Sequence, residues 1–410
     1  MKPTGCALRP DAQCPSPTPF GHSVGEDGGA TTRRHFGARL LATAAWAGTA
    51  LAAHGGSQAA DATAKATAND SPTMSPGGTW RMPDEGDPHK RTWMAFGAHR
   101  GIWGARLLPA VRKNLADIAS TIAEFEPVTM LVRASELPVA RSLCGPKVEL
   151  VVTALDDLWM RDIGPVFVKG AGGQRAGVDF NFNGWGRKQA HRADAKVAAF
   201  TARAAGVQRL QTPLVLEGGG IEVDGKGTAI ITESCVLNNN RNPGVSRADI
   251  ERRLIALLGL RKIIWLPGVR GRDITDGHTD FYARFTEPGV VVAHLDTDPS
   301  SFDHAVTKRH LEILKAATDA DGRRLDVVTI EGATTVRHEF ESDSFAAGYI
   351  NFYVVNGGVI VPQFGDRTAD DRARRAIEEL FPKRKVVALN IDAIAAGGGG
   401  IHCTTQQEPS

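Results

Sequence analysis

The sequence predicts an α/β protein in which five strand–helix–strand units close into a pseudo-symmetric ring. Three observations predict it. One pattern recurs from about residue 80 onward, and no Gly-x-Gly-x-x-Gly fingerprint joins a strand to its helix. Acidic, imidazole and thiol side chains also fall at comparable places in different units. A unit of this size cannot bury its own apolar faces, so repeated units must share one centre. An open doubly wound sheet is the structural rival, and the missing glycine fingerprint removes its support.

Each strand is read from a β-branched run bounded by turn residues, and each helix from apolar spacing near 3.6. The first unit has a strand at 92–96, a helix over 107–125 and a strand at 128–132, with an extra strand at 148–152. The second runs from a strand at 177–182, through a helix over 194–205, to a strand at 214–216. The third has a strand at 228–231, a helix over 246–258 and a strand at 262–266. Ser246 with Asp249 three residues on gives that helix a capping-box-like start. The fourth uses 290–293, a helix over 304–317 and 326–330, and the fifth uses 359–361, a helix over 369–380 and 385–389.

Composition is that of an ordinary globular chain: 410 residues, 42% hydrophobic and 23% charged, enough to build a large core. A formal net charge of +2 is too small for a general electrostatic grip on nucleic acid or anionic lipid. Residues 1–53 read as an export signal. Arg33-Arg34-His35-Phe36 resembles a twin-arginine signal and precedes an apolar stretch at 40–53, shorter than the roughly 20 residues a membrane span needs. Cleavage is expected near Ala52 or Ala53, leaving no stable membrane anchor and a periplasmic or extracellular protein. Residues 54–79, rich in Ala, Thr, Ser and Gly, read as a flexible linker, and 80–410 as one catalytic domain. Beyond the signal Cys144, Cys235 and Cys403 remain, enough for one disulfide and a free thiol at most. Cys235 lies in an apolar run and reads as a buried core thiol.

The polar residues carry the chemistry. Asp156-Asp157-Leu158-Trp159-Met160-Arg161-Asp162 follows the extra strand, Glu217 precedes three glycines, Asp276-Gly277-His278-Thr279-Asp280 follows the third unit, and Gly397–Gly400 leads to His402-Cys403. Each has a plain alternative: a surface ion pair for Arg161 and Asp162, a turn carboxylate for Glu217, a hydrogen-bonded pair for His278 and Asp280. In a ring, however, these places converge on the axis. A thiol among several carboxylates is a poor peptidase site, because the acids raise the thiol's pKa and repel an oxyanion. The same carboxylates suit a planar cation: a guanidinium has a fixed fork of N–H donors that carboxylates can hold in bidentate fashion. Cys403 would then attack the guanidinium carbon, with His278 as acid and base. Asp162 and Asp280 would clamp the cation, Glu217 would reach a nitrogen or orient His278, and glycines 397–400 would let backbone approach the substrate. That chemistry requires no metal or organic cofactor. A metal on His278, Asp280 and His402 is disfavoured, since these groups already have roles.

The motifs Leu158-Trp159-Met160-Arg161-Asp162-Ile163-Gly164-Pro165, Leu216-Glu217-Gly218-Gly219, Asn238-Asn239-Asn240-Arg241-Asn242-Pro243, Asp276-Gly277-His278-Thr279-Asp280 and Gly399-Gly400-Ile401-His402-Cys403-Thr404-Thr405-Gln406-Gln407 resemble the agmatine deiminase family, which is related to the bacterial peptidylarginine deiminases. The likeness covers about residues 81–409. It implies a pentein-like, five-bladed α/β propeller and conversion of agmatine and water to N-carbamoylputrescine and ammonia. It also implies Cys403 as nucleophile, His278 as acid and base, and Asp162, Glu217 and Asp280 beside the guanidinium. Trp159 and Trp185 would wall the aliphatic stem, with Asp156, Arg187 and Gly400 as further substrate contacts.

Two departures bear on substrate. Phe96-Gly97 stands where the family usually has Trp-Pro, and Phe182-Asn183-Gly184-Trp185-Gly186-Arg187 replaces a motif close to Phe-Asn-Ala-Trp-Gly-Gly. An Arg187 near the entrance would favour a carboxylate, as on a peptide C-terminal arginine. On the surface it would have no such effect. Agmatine stands first and peptidyl arginine second. A thiol peptidase and a silent arginine-binding protein are alternatives of other classes, and a homodimer is compatible with the sequence.

Overall fold

The computed structural model describes residues 80–410 apart from Asp343; the expected signal and linker at 1–79 lie outside the described residues. The described chain forms an α/β fold with five separate sheets of three or four strands. Among the described residues no helix is long and apolar enough to cross a membrane.

The recurring unit is richer than the strand–helix–strand pattern expected from sequence. In four of the five sheets a hairpin-like antiparallel pair comes first, and a helix then returns the chain to a parallel third strand. In the third sheet, Ile221–Val223 pairs antiparallel with Thr228–Thr232, helix Arg247–Leu258 follows, and Lys262–Leu266 adds in parallel. The fourth repeats this with Ala283–Glu287, Val290–Leu295, helix His304–Ala316 and Asp326–Glu331. The fifth does so with Tyr353–Val355, Gly358–Gln363, helix Arg367–Leu380 and Lys385–Asn390. In the second, Val166–Gly170 and Arg175–Asp179 pair antiparallel, Gln208–Gln211 adds in parallel, and Trp80–Arg81 extends the other edge. The first sheet is completed from the far end of the chain: Thr405–Pro409 pairs antiparallel with His89–Phe96, which pairs in parallel with Val128–Val132, and that with Val148–Val152. The antiparallel partners are short and their polar flanks mask the alternation, which is why the sequence pattern misses them.

Helix ends follow their capping chemistry. The Asp249 N–H donates to Ser246 Oγ at 3.1 Å, and the helix stops at Gly259, whose φ of 67° suits a residue without Cβ. The helical segment Arg100–Ile122 is two pieces joined at the non-helical Gly104 (φ 65°, ψ 175°): a short first piece capped by the His99 side chain precedes the helix expected at 107–125. The strand expected at 214–216 is absent. There the Val215 N–H donates to Asn242 Oδ1 (3.0 Å) and Val215 O accepts from Asn242 Nδ2 (2.9 Å), so a side chain takes the place of a ladder. The second unit uses Gln208–Gln211 instead.

One regularity positions the site. Asp162 lies just before strand Val166–Gly170, Glu217 before Ile221–Val223, and Asp280 before Ala283–Glu287. Asn351 lies before Tyr353–Val355, and Cys403 before Thr405–Pro409. Five sheets thus receive their first antiparallel strand from a segment carrying a buried polar or thiol side chain.

Candidate active site

Asp162 sits in the short helix Met160–Ile163, where both of its oxygens are occupied. Oδ2 accepts from Trp185 Nε1 at 2.9 Å and Oδ1 from the Gly219 N–H at 3.1 Å. Trp185 reaches it from a strained turn: Trp185 and Arg187 have φ of 54° and 66°, conformations non-glycine residues adopt only when their surroundings compel it. Asp276 (φ 63°) and Gly277 (φ 88°) form a second left-handed pair, which delivers His278. Asp276 is held in that shape by Arg241 Nη1 at 2.6 Å and the Gly271 N–H at 2.8 Å.

Glu217 is extended and fully buried, leading into the glycine turn Gly218–Gly220. Its Oε1 accepts from Arg241 Nε at 3.0 Å, and Oε2 lies 3.3 Å from His278 Nε2 and 3.5 Å from Cys235 Sγ. Gly219 shows why the turn is glycine. A Cβ there would lie 2.6 Å from His278 Nδ1, 2.9 Å from Asp162 Oδ1 and 3.1 Å from Asp280 Oδ2. Three functional groups therefore meet at one point from which a side chain is excluded.

Cys403 joins this group through Asp280. Its Sγ lies 3.6 Å from Asp280 Oδ2 and within 3.5 Å of the Asn351 side-chain amide, and the Cys403 N–H donates to Asn351 Oδ1 at 3.4 Å. Asp280 Oδ2 also meets His402 Nδ1 at 2.8 Å, whereas Asp280 Oδ1 is buried with no hydrogen-bond partner. An unpaired buried carboxylate oxygen is costly, and a cation bearing N–H donors would satisfy it.

The electrostatics have separable causes. Burial pushes the Cys403 thiol well above its usual range, and the Asp280 and Asp162 carboxylates add to that. The Gly400 backbone and the Asn351 amide pull in the opposite direction. Burial opposes a charged His278, yet Asp162, Cys235 and Glu217 outweigh it and raise the imidazole well above the ordinary histidine value. Burial likewise opposes an ionised Glu217, but His278 and Arg241 hold it below the usual carboxylate range. Asp162 is raised, by burial first, with Glu217 and Asp280 adding to the effect. Asp280 is lowered because the His402 contact overcomes its burial.

Most of the residues singled out from sequence come together here: Cys403, His278, Asp280, Asp162, Glu217 and Trp185. Trp159 is buried, with Nε1 donating to Asp157 Oδ2 at 3.0 Å. Gly400 abuts Asn351. Gly397 and Gly399 lie against the Trp103 and Trp159 rings. Asp156 stands apart: its Oδ2 accepts the Ala193 N–H at 2.6 Å and the Asp194 N–H at 3.2 Å, anchoring the start of the next helical segment. Arg187 is exposed.

Sequence reasoning missed Asn351, Arg241 and Glu85 as site components, and it read Cys235 as core. Cys235 is indeed fully buried, but against Glu217. All three thiols are free, so the expected limit of one disulfide is met by none. Recurrence was the available signal for Asn351, which occupies in the fifth unit the place that Asp162, Glu217 and Asp280 take in theirs. Glu217, Cys235 and His278 bring three donors within 4.8 Å of one another, a spacing a metal could use. The chemistry opposes it: the Arg241 guanidinium already neutralises Glu217, and the acids that raise the His278 pKa make its proton harder to give up to a metal.

A buried thiol beside an imidazole and several carboxylates, on an α/β frame, defines a guanidino-group hydrolase. The chain belongs to the Porphyromonas-type peptidyl-arginine deiminase family, whose model matches residues 81–409. It is 46% identical to a Streptomyces coelicolor protein provisionally named an agmatine deiminase, over 81% of this chain and 99% of the relative. It is 38% identical to the agmatine deiminase of Stutzerimonas stutzeri, over 80% and 95%. The solved agmatine deiminase of Enterococcus faecalis matches with a TM-score of 0.75 at 32% identity, over 81% of this chain and 96% of that one.

Proposed function

We propose that this chain hydrolyses agmatine to N-carbamoylputrescine and ammonia through a covalent adduct on Cys403. The observation that carries the reading is the meeting of His278, Asp162 and Asp280 at Gly219, with the Cys403 thiol 3.6 Å from Asp280. The guanidinium binds Asp162 and the unpaired Asp280 Oδ1, and its positive charge offsets the two carboxylates that keep Cys403 protonated. The thiol gives its proton to bulk water as the cation binds, and the resulting thiolate forms a bond to the guanidinium carbon. His278 gives its proton to one nitrogen, the C–N bond breaks and ammonia leaves an S-alkylthiouronium. Neutral His278 next takes a proton from water, whose oxygen adds to the same carbon. The C–S bond breaks, Cys403 departs as thiolate and the ureido product remains.

The test is purified protein with agmatine, free arginine, and peptides carrying internal or C-terminal arginine, scored for ureido product and ammonia. Agmatine is expected to be turned over fastest and Cys403→Ala to be inactive. Full activity in that variant would exclude the covalent route. Preference for C-terminal arginine would favour the peptidyl reading, although Arg187 is exposed, the placement in which it has no bearing on that choice.

The fine architecture we propose is a five-bladed α/β propeller, in which the five sheets surround the site. The completion of the first sheet by Thr405–Pro409 and the recurrence of site residues before each hairpin support it. A crystal structure without a pseudo-five-fold axis would overturn it. Export is proposed on residues 31–53 alone, and a reporter fused after residue 79 that stayed in the cytoplasm would refute it.

A further inference from the structure

A buried chain of charges runs away from the thiol on the far side of Asp280. His402 Nδ1 lies 2.8 Å from Asp280 Oδ2, and His402 Nε2 lies 2.8 Å from Glu85 Oε2. A neutral imidazole has one N–H and one lone pair, so it can donate to only one of these carboxylates and must turn its lone pair toward the other. Glu85 has no capacity for a proton of its own. Its Oε1 accepts from Arg284 Nη2 (2.8 Å) and the Val354 N–H (2.9 Å), and its Oε2 from Arg161 Nη2 (3.0 Å). Arg284 Nε is bound in turn by Glu222 Oε2 at 2.8 Å.

We propose that His402 is a positioning residue: a buried imidazolium that donates to both Asp280 and Glu85, fixing Asp280 so that its second oxygen stays open to the substrate cation. The inference rests on the deimination reading of Asp280, but the ionisation of His402 can be measured independently of any turnover. Charge balance allows it. With the ring protonated, three buried carboxylates (Glu85, Glu222, Asp280) face three cations (Arg161, Arg284, His402). With the ring neutral, the same balance requires the proton on a carboxylate instead, and Glu222, which burial raises to about 7, is the member of the cluster able to take it. Burial, then the Arg161 and Arg284 guanidiniums, lower the ring's pKa from its ordinary value against the opposing pull of Glu85 and Asp280, so the proposal stands on the two 2.8 Å carboxylate contacts. The other titratable groups beside the cluster are Asp84, near Glu85 and Glu222, His278 and Asp162, near Asp280, Cys403, against Asp280, and Tyr353, which faces Arg161. The vacant Asp280 Oδ1 is what such an arrangement produces: one oxygen bound and oriented, the other buried and unpaired.

Two measurements test this on the intact protein. In protein labelled with ¹⁵N-histidine and free of substrate, the His402 signal, assigned by its loss in His402→Gln, should show both ring nitrogens protonated at pH 7. Glu85→Gln removes one of the two carboxylates holding that proton. It should bring the His402 titration, and the alkaline limb of kcat/KM, down by about one pH unit or more. Circular dichroism and the unfolding midpoint establish that the variants fold. A single protonated nitrogen in the wild type overturns the proposal whatever the activity. So does a folded Glu85→Gln variant with an unmoved limb. An imidazolium signature in a protein that releases no ammonia from any guanidine would leave this inference standing and remove the deimination reading.

Discussion

Adding one methyl group at Gly399 tests how the glycine run supports the site. A Cβ at Gly399 would lie 2.5 Å from Trp159 Cη2 and 3.1 Å from Cε3, and closer still to Cζ3, whereas carbon atoms rest about 3.5–4.0 Å apart. Backbone strain is not involved, because Gly398 is the left-handed member of the run and Gly399 is not. The ring must therefore retreat by about 1 Å or more, and it has little space to do so. Its Nε1 donates to Asp157 Oδ2 at 3.0 Å, and its centroid is 5.8 Å from that of Trp103. Trp103 is itself bound to Asp157 Oδ1 at 2.8 Å and seated on Gly397. Overpacking costs about 1–3 kcal/mol, and losing the indole–carboxylate bond adds about 1. We expect Gly399→Ala to lose about 2–4 kcal/mol in urea unfolding. A shift of about 1 Å this close to Cys403 should also lower kcat/KM by about a hundredfold. Trp159→Phe in the same chain makes room for the methyl, so the double variant should recover about 1–3 kcal/mol relative to additivity. Additive effects, or a Gly399→Ala protein with normal stability and turnover, would refute the reasoning.

Other expectations follow from single contacts. Arg241→Met removes the guanidinium from the buried Glu217, while Asp276 keeps Lys188 at 2.8 Å, and should cost about 3–5 kcal/mol in a denaturation curve; an unchanged midpoint would mean that Arg241 is not needed to neutralise Glu217. Asp162→Asn places an NH₂ against either Trp185 Nε1 or the Gly219 N–H and removes a charge from the cation site. Substrate KM should rise at least tenfold, with stability down about 1–3 kcal/mol; an unaltered KM for agmatine would take Asp162 out of the clamp. His310 Nε2 accepts from the Gly268 N–H at 3.0 Å, and burial, with His294 nearby, lowers its pKa from 6.5 to about 4. Because the folded value lies below the unfolded one, the unfolded chain binds the extra proton between those pH values. Stability from this residue is complete above about pH 6.5 and declines toward pH 4, by about 3 kcal/mol. His310→Gln should flatten that part of the pH–stability curve, and an equally steep decline would assign the effect to other groups.

Legibility differed sharply between parts of the chain. The strands at 128–132, 148–152 and 262–266 have their predicted bounds, because each is a continuous β-branched run closed by turn residues. The strands Ile221–Val223 and Tyr353–Val355 were invisible, being three residues long and recognisable only by what they pair with. At the site, Cys403, His278, Asp280, Asp162 and Glu217 were legible because a thiol, an imidazole and acids are rare beside glycine turns. Asn351 offered no such mark. Nor did Glu85, which sits in Met82-Pro83-Asp84-Glu85-Gly86 and reads as a turn carboxylate, although it is tied to two arginines and His402.

By itself, then, the order of residues determined an α/β chain of five repeating units and the set of groups able to handle a guanidinium. Periodicity and side-chain chemistry are local properties, and both can be read along a line. Only the tertiary structure decided which oxygen of Asp280 is bound and which is vacant, and that Gly397 and Gly399 seat two tryptophans. Those outcomes depend on distances of about 3 Å between residues a hundred or more positions apart, and hydrogen bonds and repulsion act at that range regardless of sequence separation.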